Sequence, residues 1–206
     1  MTHRFSLLRH CMMLAAGLLI SLNTFADGSI EAGQKKAATC AACHGNDGNS
    51  LNPEWPSLAG QHATYIVRTL KAFKSGDRQN VLMAGQVSAL DDQDMEDLAA
   101  YFEAQTPVRR TADPELVAHG ERLYRGGDLD RGISACIACH GPEGRGNKPA
   151  AFPALASQHA TYTTNQLKAY ASGNRKSDPN QIMRSIASLL NDDDIAAVAS
   201  YIQGLR

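Results

Sequence analysis

Aromatic residues are scarce in this chain: they make up 6% of 206 residues, with a single tryptophan. Charge of one sign is lacking too, because 20 Lys and Arg stand against 21 Asp and Glu for a net −1 at pH 7. That balance excludes a nucleic-acid binder running on bulk positive charge, and equally an acidic disordered chain. Cysteine is sparse, five in all, too few for a small disulfide-stapled scaffold at this length. Beyond residue 26 no apolar stretch approaches the roughly 20 residues that a membrane-spanning helix requires. No window alternates apolar and polar residues as a half-buried strand would.

What is present begins with an export signal. Met1–Ala26 reads as a cleaved secretory signal peptide: Arg4 and Arg9 form a basic start, Cys11 to Leu22 an apolar run broken by Gly17 and Ser21, and Thr24-Phe25-Ala26 a cleavage site near Ala26. The run is too short for an uncleaved anchor, and no cysteine stands at the cut for lipid attachment. The expected compartment is the periplasm. Cleavage removes Cys11 and leaves 18 basic against 21 acidic residues, a net of −3, with four cysteines in two pairs.

The remaining chain is one pattern written twice. Cys40-Ala41-Ala42-Cys43-His44-Gly45 matches Cys136-Ile137-Ala138-Cys139-His140-Gly141 at an offset of 96. Trp55-Pro56-Ser57-Leu58-Ala59 matches Phe152-Pro153-Ala154-Leu155-Ala156 at 97, and Gln61-His62-Ala63-Thr64-Tyr65 recurs unchanged as Gln158-His159-Ala160-Thr161-Tyr162. Leu70, Lys71, Ser75, Gly76 and Arg78 recur as Leu167, Lys168, Ser172, Gly173 and Arg175; later the offset becomes 100, pairing Met83 with Met183 and Tyr101 with Tyr201. The expected organisation is a first domain over 27–106, a linker over 107–114 and a second domain over 115–206. The second half carries an inserted Gly- and Asp-rich segment, Gly126 to Ser134, with no obvious chemistry.

Periodicity predicts helices throughout. Met95, Leu98, Ala99 and Phe102 fall at i, i+3, i+4 and i+7, as do Ile195, Val198, Ala199 and Ile202. Asp91 and Asn191 stand at the N-cap positions, with Asp94 and Asp194 three residues on. Tyr65, Ile66, Thr69, Leu70 and Phe73 predict a second helix ended by Gly76. A short helix before each Cys pair carries Gly33 or Gly120, against which Tyr101 and Tyr201 are expected to pack. Domains of 80–90 residues with few aromatics are near the size where a hydrophobic core alone is marginal, so something else is expected to fill the centre.

Cys-x-x-Cys-His is the attachment signature of c-type haem. Two cysteines three residues apart can form thioethers with the two vinyl groups on one porphyrin edge, and the following histidine is then held beneath the ring. By this reading Cys40 and Cys43 hold one haem, Cys136 and Cys139 a second, and His44 and His140 are the proximal iron ligands. A thioredoxin-like pair lacks its strand–helix context and leaves the histidines unexplained. A four-cysteine zinc site expects roughly 15–20 residues between pairs, whereas Cys43 and Cys136 are separated by 92. Simple disulfides leave two identical histidine placements without a reason.

The sixth ligand decides between a carrier and an enzyme. Met83 and Met183 are duplicated, lie in loop-like stretches between helices, and follow the proximal histidines by 39 and 43 residues, enough chain to reach the far haem face. A thioether favours ferrous iron and raises the potential. His62 and His159, also duplicated, are the rival ligands and would give bis-histidine haems. Met95 pairs with Ile195 and reads as core. Pro56 and Pro153, 12 and 13 residues after the proximal histidines, are placed to accept the imidazole Nδ1–H. Arg78 and Arg175 are candidates to pair with haem propionates. His119 has no counterpart and reads as a surface residue.

Taken together, the paired Cys-x-x-Cys-His-Gly modules, the Pro-x-Leu-Ala segments, the repeated Gln-His-Ala-Thr-Tyr and the two late methionines resemble the dihaem cytochrome c4 family over nearly the whole exported chain. The resemblance implies an all-α fold of two tandem class I cytochrome c domains related by a pseudo-two-fold. It implies one-electron transfer in the periplasm, from a quinol-oxidising complex (quinol–cytochrome c oxidoreductase) to a haem–copper terminal oxidase. It implies no catalysis, no nucleic-acid partner and a two-domain monomer, with peripheral membrane association compatible. Two alternatives stay open: a cytochrome subunit of a larger oxidoreductase such as a flavocytochrome, and a dihaem peroxidase, which needs one iron with a vacant or displaceable ligand.

Overall fold

The computed structural model describes residues 28–206, so the signal-peptide reading of Met1–Ala26 and the stray Cys11 lie outside the described residues. The first half runs α1 (Ile30–Lys36), α2 (Ala41–His44), α3 (Ala63–Ser75), α4 (Val81–Val87) and α5 (Asp92–Glu103). The second repeats this order as α6 (Pro114–Gly126), α7 (Ile137–His140), α8 (Ala160–Ala171), α9 (Ile182–Ala187) and α10 (Asp192–Gly204). Among the described residues the only β pairing is two isolated bridges, Asp128 with Ile133 and Asn147 with Phe152.

The helix boundaries follow from local chemistry. Asp91 and Asn191 each accept the N–H of the residue three positions on, and Asp94 and Asp194 reach back to the cap N–H, so α5 and α10 both open on a capping box. Gly76 ends α3 in the left-handed conformation, at φ 86°. Pro114 opens α6 at the position where its missing N–H leaves nothing unsatisfied, so helix begins inside the stretch expected to be linker.

Each half is built on the crossing of its first and last helices, α1 on α5 and α6 on α10. A glycine stands at both crossings because nothing larger fits. A Cβ on Gly33 would lie 2.0 Å from the Asp97 carbonyl oxygen and 2.8 Å from the Tyr101 Cβ. On Gly120 it would lie 2.2 Å from the Ala197 oxygen and 2.6 Å from the Tyr201 Cβ. The expected packing of the two tyrosines against these glycines is what the structure has. The cores are small: Ile66, Leu98, Ala99, Tyr101 and Phe102 in the first half, and Tyr124, Leu167, Ile195, Val198, Tyr201 and Ile202 in the second. Cys40 packs against the first cluster and Cys136 and Met183 against the second.

Three details differ from expectation. Met83 and Met183 are not in loops but in the first turns of the short helices α4 and α9. Asn80 caps the former by accepting the Met83 N–H at 3.0 Å, while a left-handed pair, Asn180 and Gln181, leads into the latter. The inserted Gly126–Ser134 segment is a tight, structured turn: Ile133 is buried, and Arg131 donates to Asp128 and to the buried Asp194, each at 2.7 Å. His119, read as a surface residue, instead donates through Nε2 to the other oxygen of Asp194 at 2.8 Å. In the first half Lys36 performs the equivalent service for Asp94 and Asp97.

The halves meet through reciprocal contacts, as a pseudo-two-fold requires. The Gln61 carboxamide pairs with the backbone of Ala154, and that of Gln158 with the backbone of Ser57. Arg78 donates to Tyr162, and Arg175 to Tyr65. The linker joins this interface through Arg110, which donates to Ser157 O at 2.6 Å, Ser50 O at 3.1 Å and Ser57 Oγ at 3.2 Å.

Candidate functional site

Each Cys-x-x-Cys-His segment folds as one helical turn. The His44 N–H donates to the Cys40 carbonyl at 3.0 Å, and His140 to Cys136 at the same distance. Residues i, i+3 and i+4 share a helix face, so both thiols and the imidazole are presented on one side. Gly45 and Gly141 end the turns at φ 82° and 76°, a region that disfavours any residue with a side chain. None of these four cysteines is paired in a disulfide.

Both histidines are buried, His44 at 8% exposure and His140 at 7%. Nδ1 of His44 lies 2.8 Å from the Pro56 carbonyl oxygen, and Nδ1 of His140 lies 3.0 Å from that of Pro153. A carbonyl only accepts, so Nδ1 carries the proton and Nε2 keeps its lone pair. Burial holds both imidazoles below the ordinary histidine range, so they stay neutral at pH 7. A neutral imidazole with a free Nε2 and a fixed ring is the donor that iron needs.

The two rival histidines are engaged elsewhere. His62 Nε2 donates across the interface to the Arg145 carbonyl at 2.6 Å, and His159 Nε2 to the Ser50 carbonyl at 2.8 Å. Burial, with Arg110 nearby, holds His159 below its usual range. Met83 and Met183 are half-buried, each in the helix between the two longer helices of its half. Among the described residues no group of three or more His, Cys, Asp and Glu side chains is arranged to hold a metal ion by itself.

Comparison with known proteins decides what this arrangement is. The family described as Cytochrome c matches residues 30–105 and again 117–206. Cytochrome c4 of Azotobacter vinelandii is 50% identical over 191 residues, covering 88% of this chain and 91% of the relative. The crystal structure of reduced recombinant cytochrome c4 from Pseudomonas stutzeri superposes with a TM-score of 0.85 at 48% identity, covering 87% of this chain and all of that one. The chain belongs to the cytochrome c4 family. A more distant relative, the thiosulfate dehydrogenase electron acceptor of Stutzerimonas stutzeri, is 41% identical over 197 residues, or 90% of each chain. As a cytochrome c4 the protein is a dihaem electron carrier with two tandem all-α cytochrome c domains and two covalently bound haem c groups.

A cytochrome c4 must accommodate the anionic propionates of two porphyrins, and the interface carries matching charge. Arg78 and Arg175, both 8% exposed, converge on Gln166 Oε1 at 2.9 and 2.8 Å. Their guanidinium groups lie over the rings of Phe73 and Tyr170 at 4.6 and 4.5 Å. Among the described residues neither forms an ion pair, and the buried Arg175 Nε has no hydrogen-bond partner there. Two buried cations without a carboxylate are costly unless an anion completes the cluster. Burial alone would raise the Tyr65 phenol, yet these two arginines outweigh it and pull the group below the ordinary tyrosine range. The residues present therefore fit the group that the family carries.

Several residues have interface roles that differ from, or are absent from, the sequence reading. Gln61 and Gln158, Tyr65 and Tyr162, and His62 and His159 all belong to the repeated Gln-His-Ala-Thr-Tyr, whose identity in both halves is the mark of a surface that meets its own copy. Gln166, Arg110 and Arg131 occur in one half only, so the internal repeat does not mark them.

Proposed function

We propose that this chain is a periplasmic one-electron carrier whose two irons are each held by histidine and methionine, His44 with Met83 and His140 with Met183. Cys40, Cys43, Cys136 and Cys139 anchor the porphyrins through thioethers. Haem c, when bound, supplies a reversible ferric/ferrous couple. The chain's own residues supply the rest. The Pro56 and Pro153 carbonyls orient the proximal imidazoles, and burial keeps those imidazoles neutral. Arg78 and Arg175 offset propionate charge.

The observation that carries the reading is the duplicated, neutral, carbonyl-oriented histidine at the end of each Cys-x-x-Cys turn. The methionines are favoured over His62 and His159 because both histidines already donate to backbone carbonyls of the opposite half. With Met83 and Met183 as the second ligands, neither iron would keep an open position for peroxide chemistry. Partners are a quinol-oxidising complex as donor and a haem–copper oxidase as acceptor, met in short-lived encounters as a two-domain monomer. The relative named as a thiosulfate dehydrogenase electron acceptor supports a second donor class, a dehydrogenase acting in the same compartment.

The test is the ferric near-infrared spectrum. Wild type is expected to show the weak methionine–iron charge-transfer band at two-haem intensity, and Met83→Leu and Met183→Leu are each expected to remove half of it. A full-intensity band in either variant, or no band in wild type, would refute the assignment.

A further inference from the structure

Each proximal histidine is tied to the opposite domain through a single peptide group. The Pro56 carbonyl accepts from His44 Nδ1 at 2.8 Å, and the N–H of that same peptide, borne by Ser57, donates to Gln158 Oε1 at 2.9 Å. The second half mirrors this. The Pro153 carbonyl accepts from His140 Nδ1 at 3.0 Å, and the Ala154 N–H of that peptide donates to Gln61 Oε1 at 2.9 Å. Both carboxamides are locked the right way round. Gln158 Nε2 donates to Ser57 O and Gln61 Nε2 to Ala154 O, each at 2.9 Å. Each Oε1 also accepts the N–H of the next residue, His159 at 3.0 Å and His62 at 3.1 Å. Gln61 and Gln158 are 8% and 9% exposed, so water competes little for these bonds.

A peptide that donates at nitrogen while accepting at oxygen is polarised by both bonds, and each strengthens the other. A glutamine oxygen at the N–H therefore makes the proline carbonyl a better acceptor. A better acceptor at Nδ1 makes the imidazole a more basic iron ligand, which favours the ferric state and lowers the potential.

We propose that Gln158 is a positioning residue for His44 and Gln61 for His140, so that each haem's reduction potential is set in part by the other domain. The inference rests on His44 and His140 being the proximal ligands. It gives the interface a function beyond adhesion: any change in how the halves sit together is read directly by both irons, through their ligands rather than through space.

The experiment is a potentiometric titration of the full dihaem protein, with haems assigned to domains by nuclear Overhauser contacts between porphyrin and protein. Gln61→Met, which keeps the volume and loses both bonds, is expected to raise the ferrous-to-ferric ratio of the second-domain haem about threefold to tenfold at fixed ambient potential. Tenfold corresponds to about 59 mV for a one-electron couple. The first-domain haem, although Gln61 belongs to that domain, is expected to move less than about twofold. Gln158→Met is expected to give the mirror result. Gln61→Glu keeps an acceptor oxygen toward the Ala154 N–H and is expected to move the second haem in the opposite direction, which also covers a methionine variant that fails to assemble. Equal shifts at both haems, a shift confined to the variant's own domain, or no shift would overturn the proposal. The near-infrared band in the same samples separates the two ideas: intact bands with unmoved potentials reject the relay alone, whereas a missing band in wild type rejects the ligation.

Discussion

Replacing Asp194 by asparagine probes the packing that the second domain adds to the shared fold. Its carboxylate is almost fully enclosed, with 2% side-chain exposure. Arg131 donates to one oxygen at 2.7 Å, His119 to the other at 2.8 Å, and the Asn191 N–H at 3.1 Å. The Arg131 bond does most to hold the acid down; it outweighs burial, and with the Asn191 and His119 bonds brings the group to about 2. Measured against an unfolded carboxyl near 3.9, at about 1.4 kcal/mol per pKa unit, the depression contributes roughly 2–3 kcal/mol. The sign follows from the direction: that stability is whole above about pH 4 and is lost as the pH falls through about 2. Asp194→Asn also removes one of the two carboxylates that Arg131 pairs with and leaves it only Asp128, so a loss of about 2–4 kcal/mol at pH 7 is expected. Urea denaturation of the holoprotein followed by far-ultraviolet circular dichroism measures it. The gap between wild type and variant should be full at pH 7 and should narrow between pH 4 and pH 2. A gap of the same size at pH 7 and pH 2, or none at pH 7, would show that the buried pair is not what anchors the inserted turn.

Gly33→Ala and Gly120→Ala each force a methyl group into backbone at the central helix crossing, and each is expected to destabilise its domain by about 1–3 kcal/mol or more, read as a lower thermal midpoint. Arg175→Leu removes one of two buried cations from the interface and is expected to lower a haem potential by about 30 mV or more, a threefold shift; an unchanged or raised potential in a redox titration would contradict the pairing with propionates. Arg110→Ala strands the Ser157 carbonyl and frees the linker, so faster amide hydrogen exchange is expected at Ser57 and at the start of α8, with α5 unaffected.

Much of this fold is legible in the sequence because the duplication repeats every local signal. The capping residues Asp91 and Asn191, the apolar spacings of α5 and α10, and the glycines at both crossings each occur twice and have local causes. The same holds for the Cys-x-x-Cys-His turns, whose geometry is fixed within five residues. Pro56 and Pro153 were readable from spacing alone, and both carbonyls meet the imidazoles. Features that depend on tertiary context were not legible. Met83 and Met183 sit in short helices because capping by Asn80, and the left-handed turn before α9, start a turn that six or seven residues of weak periodicity do not announce. His119 and the Gly126–Ser134 insertion gain their role from Asp194, 75 residues from His119 in sequence, and such a pairing leaves no trace in either segment. The interface lies in the same class: identity of the repeated Gln-His-Ala-Thr-Tyr flags it, but the crossing of Gln61 to Ala154 and Gln158 to Ser57 is a fact of the assembled halves.

Carbon monoxide added to the native, fully reduced protein tests the central claim most directly. Two haems with both axial positions filled by histidine and methionine should leave the ferrous spectrum unchanged at neutral pH. Rapid binding of carbon monoxide at one or both irons would reveal an open or displaceable site, and would contradict a carrier that passes single electrons without bond chemistry.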